Sequence, residues 1–81
     1  MELPLSDLAR GQRGYIQQVS DTTGIAKRLA ELGFLPGTRV ECELVSPAGD
    51  PVAYRVRGAL IALRQRDARA VRVILCGEAA S

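Results

Sequence analysis

No histidine occurs anywhere in this chain of 81 residues. That single absence removes Ser-His-Asp and Cys-His catalytic machinery, histidine metal sites and a side chain titrating near neutrality. Cys42 and Cys76 stand far apart, without the C-x-x-C spacing of a zinc or redox site, and read as reduced thiols. On a strand from Val40 to Leu44, Cys42 falls on the same face as those two residues and becomes a small buried apolar group. The carboxylates offer little more. Asp50 lies among turn residues and Asp67 beside Arg66, where turn and ion-pair roles suffice, and Glu41 and Glu43 mark one face of a strand. A catalytic carboxylate needs a sheltered cleft, which so short a chain can scarcely enclose. The segment Gly33-Phe34-Leu35-Pro36-Gly37-Thr38 has the wrong spacing and no lysine for a phosphate-cradling loop. No catalytic residue, metal ligand or cofactor site is expected, and the protein is read as a non-enzyme.

Binding chemistry is better represented. Leu35 and Pro36 are apolar residues on a predicted loop, and Lys27 and Arg28 lie beside an apolar helical stripe. Lys27, Arg28, Phe34, Leu35, Pro36 and Gly37 are therefore the candidate partner-binding residues, an apolar anchor with a cationic rim. The competing reading is that Gly33, Pro36 and Gly37 serve only to turn the chain. A second candidate patch is the run of six arginines Arg55, Arg57, Arg64, Arg66, Arg69 and Arg72, interrupted by one acid, Asp67. It suits an acidic partner or a phosphate, although solvated strand faces and barrel rims are the favoured reading. A nucleic-acid-binding barrel is the alternative function from another class. Such barrels add stacking aromatics to a basic groove, and here only Tyr15, Phe34 and Tyr54 are aromatic.

The elements that must position these residues follow from periodicity. Leu5 and Leu8 bracket Ser6-Asp7 in a short extended lead-in that Gly11 ends. A strand is expected over about Arg13 to Ser20, with a bulge allowed around Gln17 and Gln18. Asp21, Thr22 and Thr23 are N-cap candidates for a short helix whose stripe is Ile25, Leu29 and Leu32. Gly33 stops that helix, and Phe34 is placed to fold back onto Leu29 as the clasp of a Schellman end. Thr38 to Ser46 alternates, with Val40, Cys42 and Leu44 inward and Arg39, Glu41, Glu43 and Val45 outward. The turn Pro47 to Pro51 leads into a strand over Val52 to Arg57, and Gly58 marks a bulge or corner before a strand over Ala59 to Arg64. Gln65 to Arg69 reads as a turn, Val71 to Leu75 as the last strand, and Gly77 to Ser81 as a frayed tail.

Length and composition bound the result. The chain is 47% apolar and 25% charged with a formal charge of +2, the profile of one globular domain. Its longest unbroken apolar run, Ala59 to Leu63, is far short of the roughly 20 residues of a membrane-spanning helix. The N-terminus lacks the basic flank and apolar stretch of a signal peptide, so the cytoplasm is the expected location. The expected fold is mainly β: a small SH3-like antiparallel barrel of about five strands, closing on itself, with one short helix between the first two. The domain is placed at residues 1–76 and the tail at 77–81. A five-stranded OB-type barrel fits less well, because its helix usually lies between the third and fourth strands.

The segment Arg28-Leu29-Ala30-Glu31-Leu32-Gly33-Phe34-Leu35-Pro36-Gly37-Thr38-Arg39-Val40 resembles the FeoA family, small proteins of bacterial ferrous-iron uptake. Leu5, Leu8 and Gly11, the turn Pro47, Gly49, Asp50 and Pro51, and Ile61-Ala62-Leu63-Arg64 with Ala68 and Val71 extend the resemblance over residues 5–75. Phe34 departs from the aliphatic residues familiar at its position. The resemblance implies an SH3-like cytoplasmic accessory that binds and modulates the cytosolic, G-protein-bearing part of the membrane iron transporter FeoB. The same fold serves as a module of metal-dependent repressors; the absence of a DNA-binding helical domain here is taken to favour transport. The family is associated with transition metals, but no ligand cluster supports direct binding, and iron is read as the system's cargo.

Overall fold

The computed structural model describes residues 1–20 and 24–76. Six strands lie within them: β1 (Glu2–Pro4), β2 (Arg13–Val19), β3 (Arg39–Val45), β4 (Val52–Val56), β5 (Ala59–Leu63) and β6 (Val71–Leu75). Helix α1 (Ile25–Glu31) joins β2 to β3, and the single turn α2 (Gln65–Ala68) joins β5 to β6. The strands form one antiparallel sheet in the order β1-β6-β2-β3-β4-β5.

The mainly β architecture agrees with the sequence-based expectation, with three corrections. The residues ahead of the lead-in form a strand, Glu2, Leu3 and Pro4 pairing with Ile74, Val73 and Arg72, and Leu5–Asp7 is a 3-10 turn where an extended lead-in was expected, so the strands number six and α1 follows the second. The sheet does not close on itself through hydrogen bonds, because β1 and β5 are its two edges. The polar stretch after Arg64 is helical, where a turn was expected.

The strands arise where inward apolar residues alternate with outward polar ones. Ile16, Val40, Cys42, Val52, Tyr54, Val56, Leu63, Val71 and Val73 meet in one buried cluster. Leu5 and Leu8 from the lead-in, Leu29 and Phe34 from α1 and its exit, and Ala68 from α2 complete it. Gly14 on β2 crosses β6 so closely that a Cβ would stand 2.7 Å from the Ile74 carbonyl oxygen. Bulges interrupt the register twice, between Ile16 and Gln18 on β2 and between Cys42 and Leu44 on β3. The first was anticipated. The second was not: it opposes two residues of β3 to one of β4 and turns Leu44 outward, 50% exposed, where alternation had placed it in the core. Cys42, ahead of the bulge, is buried as expected.

Both ends of α1 follow from local chemistry. Asp21, Thr22 and Thr23 lie outside the described residues, as does the tail Gly77 to Ser81; Gly24, at φ 76°, occupies the cap position. At the other end the Phe34 amide donates to the Leu29 carbonyl at 2.9 Å and the Gly33 amide to Ala30 at 3.0 Å, with Gly33 at φ 108°. Those two bonds define the expected Schellman end. The stripe is narrower than expected: Leu29 is buried, Ile25 half-buried and Leu32 37% exposed. Gly58 also differs from expectation. Arg57 and Gly58 both adopt positive φ, 52° and 82°, between the paired Val56 and Ala59, which makes a tight two-residue hairpin and no bulge.

Candidate partner-binding site

The exit of α1 is built as a turn before it is a surface. Thr38 donates its amide to the Leu35 carbonyl at 3.0 Å, closing a four-residue turn with Pro36 and Gly37 at its centre and Gly37 at φ 88°. Proline followed by a residue of positive φ is the signature of a type II turn. The turn is pinned to β2, since the Gly37 amide donates to the Ile16 carbonyl at 2.7 Å and the Ile16 amide to Thr38 at 2.9 Å. Gly33 and Gly37 therefore have structural work that explains their presence without a partner.

Of the six candidate residues, the fold leaves five on the surface. Lys27 and Arg28 lie exposed on α1, Pro36 and Gly37 are exposed at the turn, and Leu35 is 41% exposed. Phe34 is 0% exposed, and its inclusion in a contact surface is corrected: it supports the turn from within the core. The physical reason is the Schellman end itself, which commits the residue after the glycine to the side of the helix facing the sheet.

The arginine run is also divided by the fold. Arg55 Nε lies 3.1 Å from Glu43 Oε1 across β3 and β4, and Arg72 Nε lies 3.8 Å from Glu2 on β1. Arg57 sits at the hairpin tip, its Cδ 3.4 Å from where a Cβ on Gly33 would stand. Arg64 and Arg66 instead face α1. With Arg28 they rim a groove of about 240 Å³ floored by Ile25, Leu29, Leu32, Ala62 and Leu63. Asp67, 3.7 Å from Arg66 Nε, is the acid in that lining, and Arg28 and Arg64 have no ion-pair partner among the described residues. This groove escaped sequence reasoning because its arginines are separated by more than thirty residues. The unbroken apolar run of β5 was the signal available.

Polar chemistry inside the fold is structural. The Tyr54 hydroxyl donates to the Leu5 carbonyl at 3.3 Å and accepts from Gln65 Nε2 at 3.2 Å. Burial pushes its pKa above the ordinary tyrosine value, against the opposing effect of the Gln65 bond. Burial likewise raises the Cys42 thiol, with Arg10 opposing. Among the described residues, no group of three histidine, cysteine, aspartate or glutamate side chains could hold a metal ion. Two of the three aromatics, Phe34 and Tyr54, are buried, which leaves Tyr15 as the exposed ring.

The FeoA domain model matches residues 3–75. The chain belongs to the FeoA family. Over 71 residues, or 88% of its length, this FeoA-family protein is 34% identical to an Fe(2+) transport protein A/Fe(2+) transporter FeoB fusion protein of Porphyromonas gingivalis, and it spans 8% of that protein. The structure of Stenotrophomonas maltophilia FeoA complexed with zinc, described as a prokaryotic SH3 domain protein, is 31% identical, with a TM-score of 0.75 over 94% of this chain and 89% of that one. A manganese-dependent transcriptional repressor shares the fold at 18% identity and a TM-score of 0.85, covering 93% of this chain and 37% of its own. That last likeness concerns the fold alone. The SH3-like, mainly β expectation thus holds for an open six-stranded sheet, and no helix among the described residues is long and apolar enough to cross a membrane.

Proposed function

We propose that this FeoA-family protein is a cytoplasmic, non-enzymatic accessory of ferrous-iron uptake that binds the cytosolic, G-protein-bearing part of a FeoB transporter and modulates it. The observation that carries this reading is the fusion relative, in which an FeoA-like segment and the transporter share one polypeptide. Fusion holds two modules at high effective concentration, an arrangement of use when they act on each other. The exposed residues at the helix and its exit, Lys27, Arg28, Leu35, Pro36 and Gly37, supply the contact: an apolar Leu35-Pro36 anchor on a rigid turn beside two cations. Iron is the cargo of the system in this reading, and the chain itself needs no cofactor.

The test is co-purification with detergent-solubilised FeoB, followed by the transporter's GTPase rate with and without the protein. Wild type should be recovered, and Leu35→Asp and Arg28→Glu should each lower recovery several-fold. Undiminished recovery in both variants would remove the proposed surface, and no recovery of wild type would remove the partner.

A further inference from the structure

The two edges of the sheet are unlike. β1 is three residues long, begins with Glu2 and ends with Pro4, so charge, proline and brevity all discourage another strand from pairing there. β5 reads Ala-Leu-Ile-Ala-Leu, without charge or proline, and its register with β4 runs unbroken from Val52↔Leu63 to Val56↔Ala59. It is an undefended edge. In a two-residue hairpin the residues flanking the turn exchange both hydrogen bonds, so Ala59, Ile61 and Leu63 bond to β4 while the backbone groups of Leu60 and Ala62 point away from the sheet. Beside that edge lies the groove whose rim is Arg28, Arg64 and Arg66.

We propose that the free edge of β5 and the arginine-rimmed groove beside it take an extended acidic peptide segment as a seventh strand. Strand addition supplies main-chain hydrogen bonds to Leu60 and Ala62, and alternate side chains of the guest fall toward Ile25, Leu32 and Ala62. The charge of the rim selects the guest. Arg28 and Arg64 lack ion-pair partners among the described residues, so acidic side chains flanking the guest strand would complement them. A second copy of this chain is the poorer occupant, because antiparallel pairing of two β5 edges brings Arg57 of each copy toward Arg64 of the other. The inference rests on the reading above only in placing that segment in the transporter, and it can be tested without the transporter.

The probe is a fluorescent nine-residue peptide of alternating glutamate and valine, read by anisotropy and by amide exchange of the intact protein. Binding should slow exchange at Leu60 and Ala62 at least tenfold. Three changes should each weaken it at least tenfold: glutamate replaced by lysine in the peptide, N-methylation of the peptide's central amides, and Arg28→Glu with Arg64→Glu in the protein. Ala62→Pro removes an outward-facing amide at a position where an edge strand tolerates proline, and should have the same effect. Unchanged exchange at Leu60 and Ala62 under saturating peptide overturns the proposal. So does equal binding of the N-methylated peptide, indifference to the arginine reversals, or self-association through β5 with no peptide bound. Peptide binding without recovery of FeoB would sink the earlier reading alone; recovery of FeoB without peptide binding would sink this one alone.

Discussion

Tyr54 is the residue whose chemistry is most tightly tied to the fold. It is among the largest fully buried side chains, and its hydroxyl joins the Leu5 carbonyl to Gln65, so the lead-in, β4 and α2 meet at one oxygen. Removing the hydroxyl in Tyr54→Phe should cost about 1 kcal/mol, the net value of a typical intramolecular hydrogen bond. The raised pKa adds a pH signature. Because burial holds the folded-state pKa above the unfolded one, the stabilisation is intact below the unfolded value, near pH 10, and is lost as pH rises through the folded one. Cys42 contributes with the same sign from a lower starting pH, its thiol also being raised by burial. Urea midpoints between pH 8 and 11 should therefore fall more steeply for wild type than for Tyr54→Phe, and most shallowly for Tyr54→Phe combined with Cys42→Ala. Parallel profiles would show that Tyr54 is not shielded as described.

The turn α2 shows how an element can depend on a distant residue. Its N-cap position is Arg64, whose side chain does not cap it; the Gln65 amide donates instead to Asp50 Oδ1 at 3.0 Å, from the β3–β4 turn. Asp50→Ala should destabilise the domain by about 0.5–1 kcal/mol, the lower part of the range for losing a helix cap, since the bond is exposed. Asp50→Asn, which keeps an acceptor, should recover most of the loss, and chemical denaturation distinguishes the two. This dependence also explains what the sequence could and could not convey. Alternation located the long strands to within a residue or so, and the Gly33 stop was legible because a Schellman end is written in neighbouring residues. α2 was not, since four residues, three of them polar, carry no period and their cap lies 15 positions away. The bulge at Glu43 was equally silent, having no glycine to announce it, and it moved Leu44 out of the core. At the candidate site, the contiguous stretch Lys27 to Gly37 could be read directly. The groove between α1 and β5 could not, because only the folded sheet brings Arg28 to Arg64 and Arg66.

At the scale of the whole molecule, an open sheet must still bury its inner face. Here the lead-in does part of that work: Leu5 and Leu8 lie in the core although neither belongs to a strand, and the Leu5 carbonyl reaches β4 through Tyr54. β1 also pairs along β6, which would otherwise be an edge. A domain of this length is stable by roughly 4–12 kcal/mol, and cutting one buried leucine to alanine costs about 2–5 kcal/mol. Leu5→Ala should therefore give a folded protein with a visibly lowered denaturation midpoint. Removing residues 1–8 deletes both leucines, the Tyr54 acceptor and the β1 ladder together, a loss that equals or exceeds the whole stability. The truncated chain should show unfolded amide shifts and no cooperative thermal transition. If it instead kept native dispersion, the core would have to be self-sufficient in β2 to β6, and the first eight residues would be free to serve a partner.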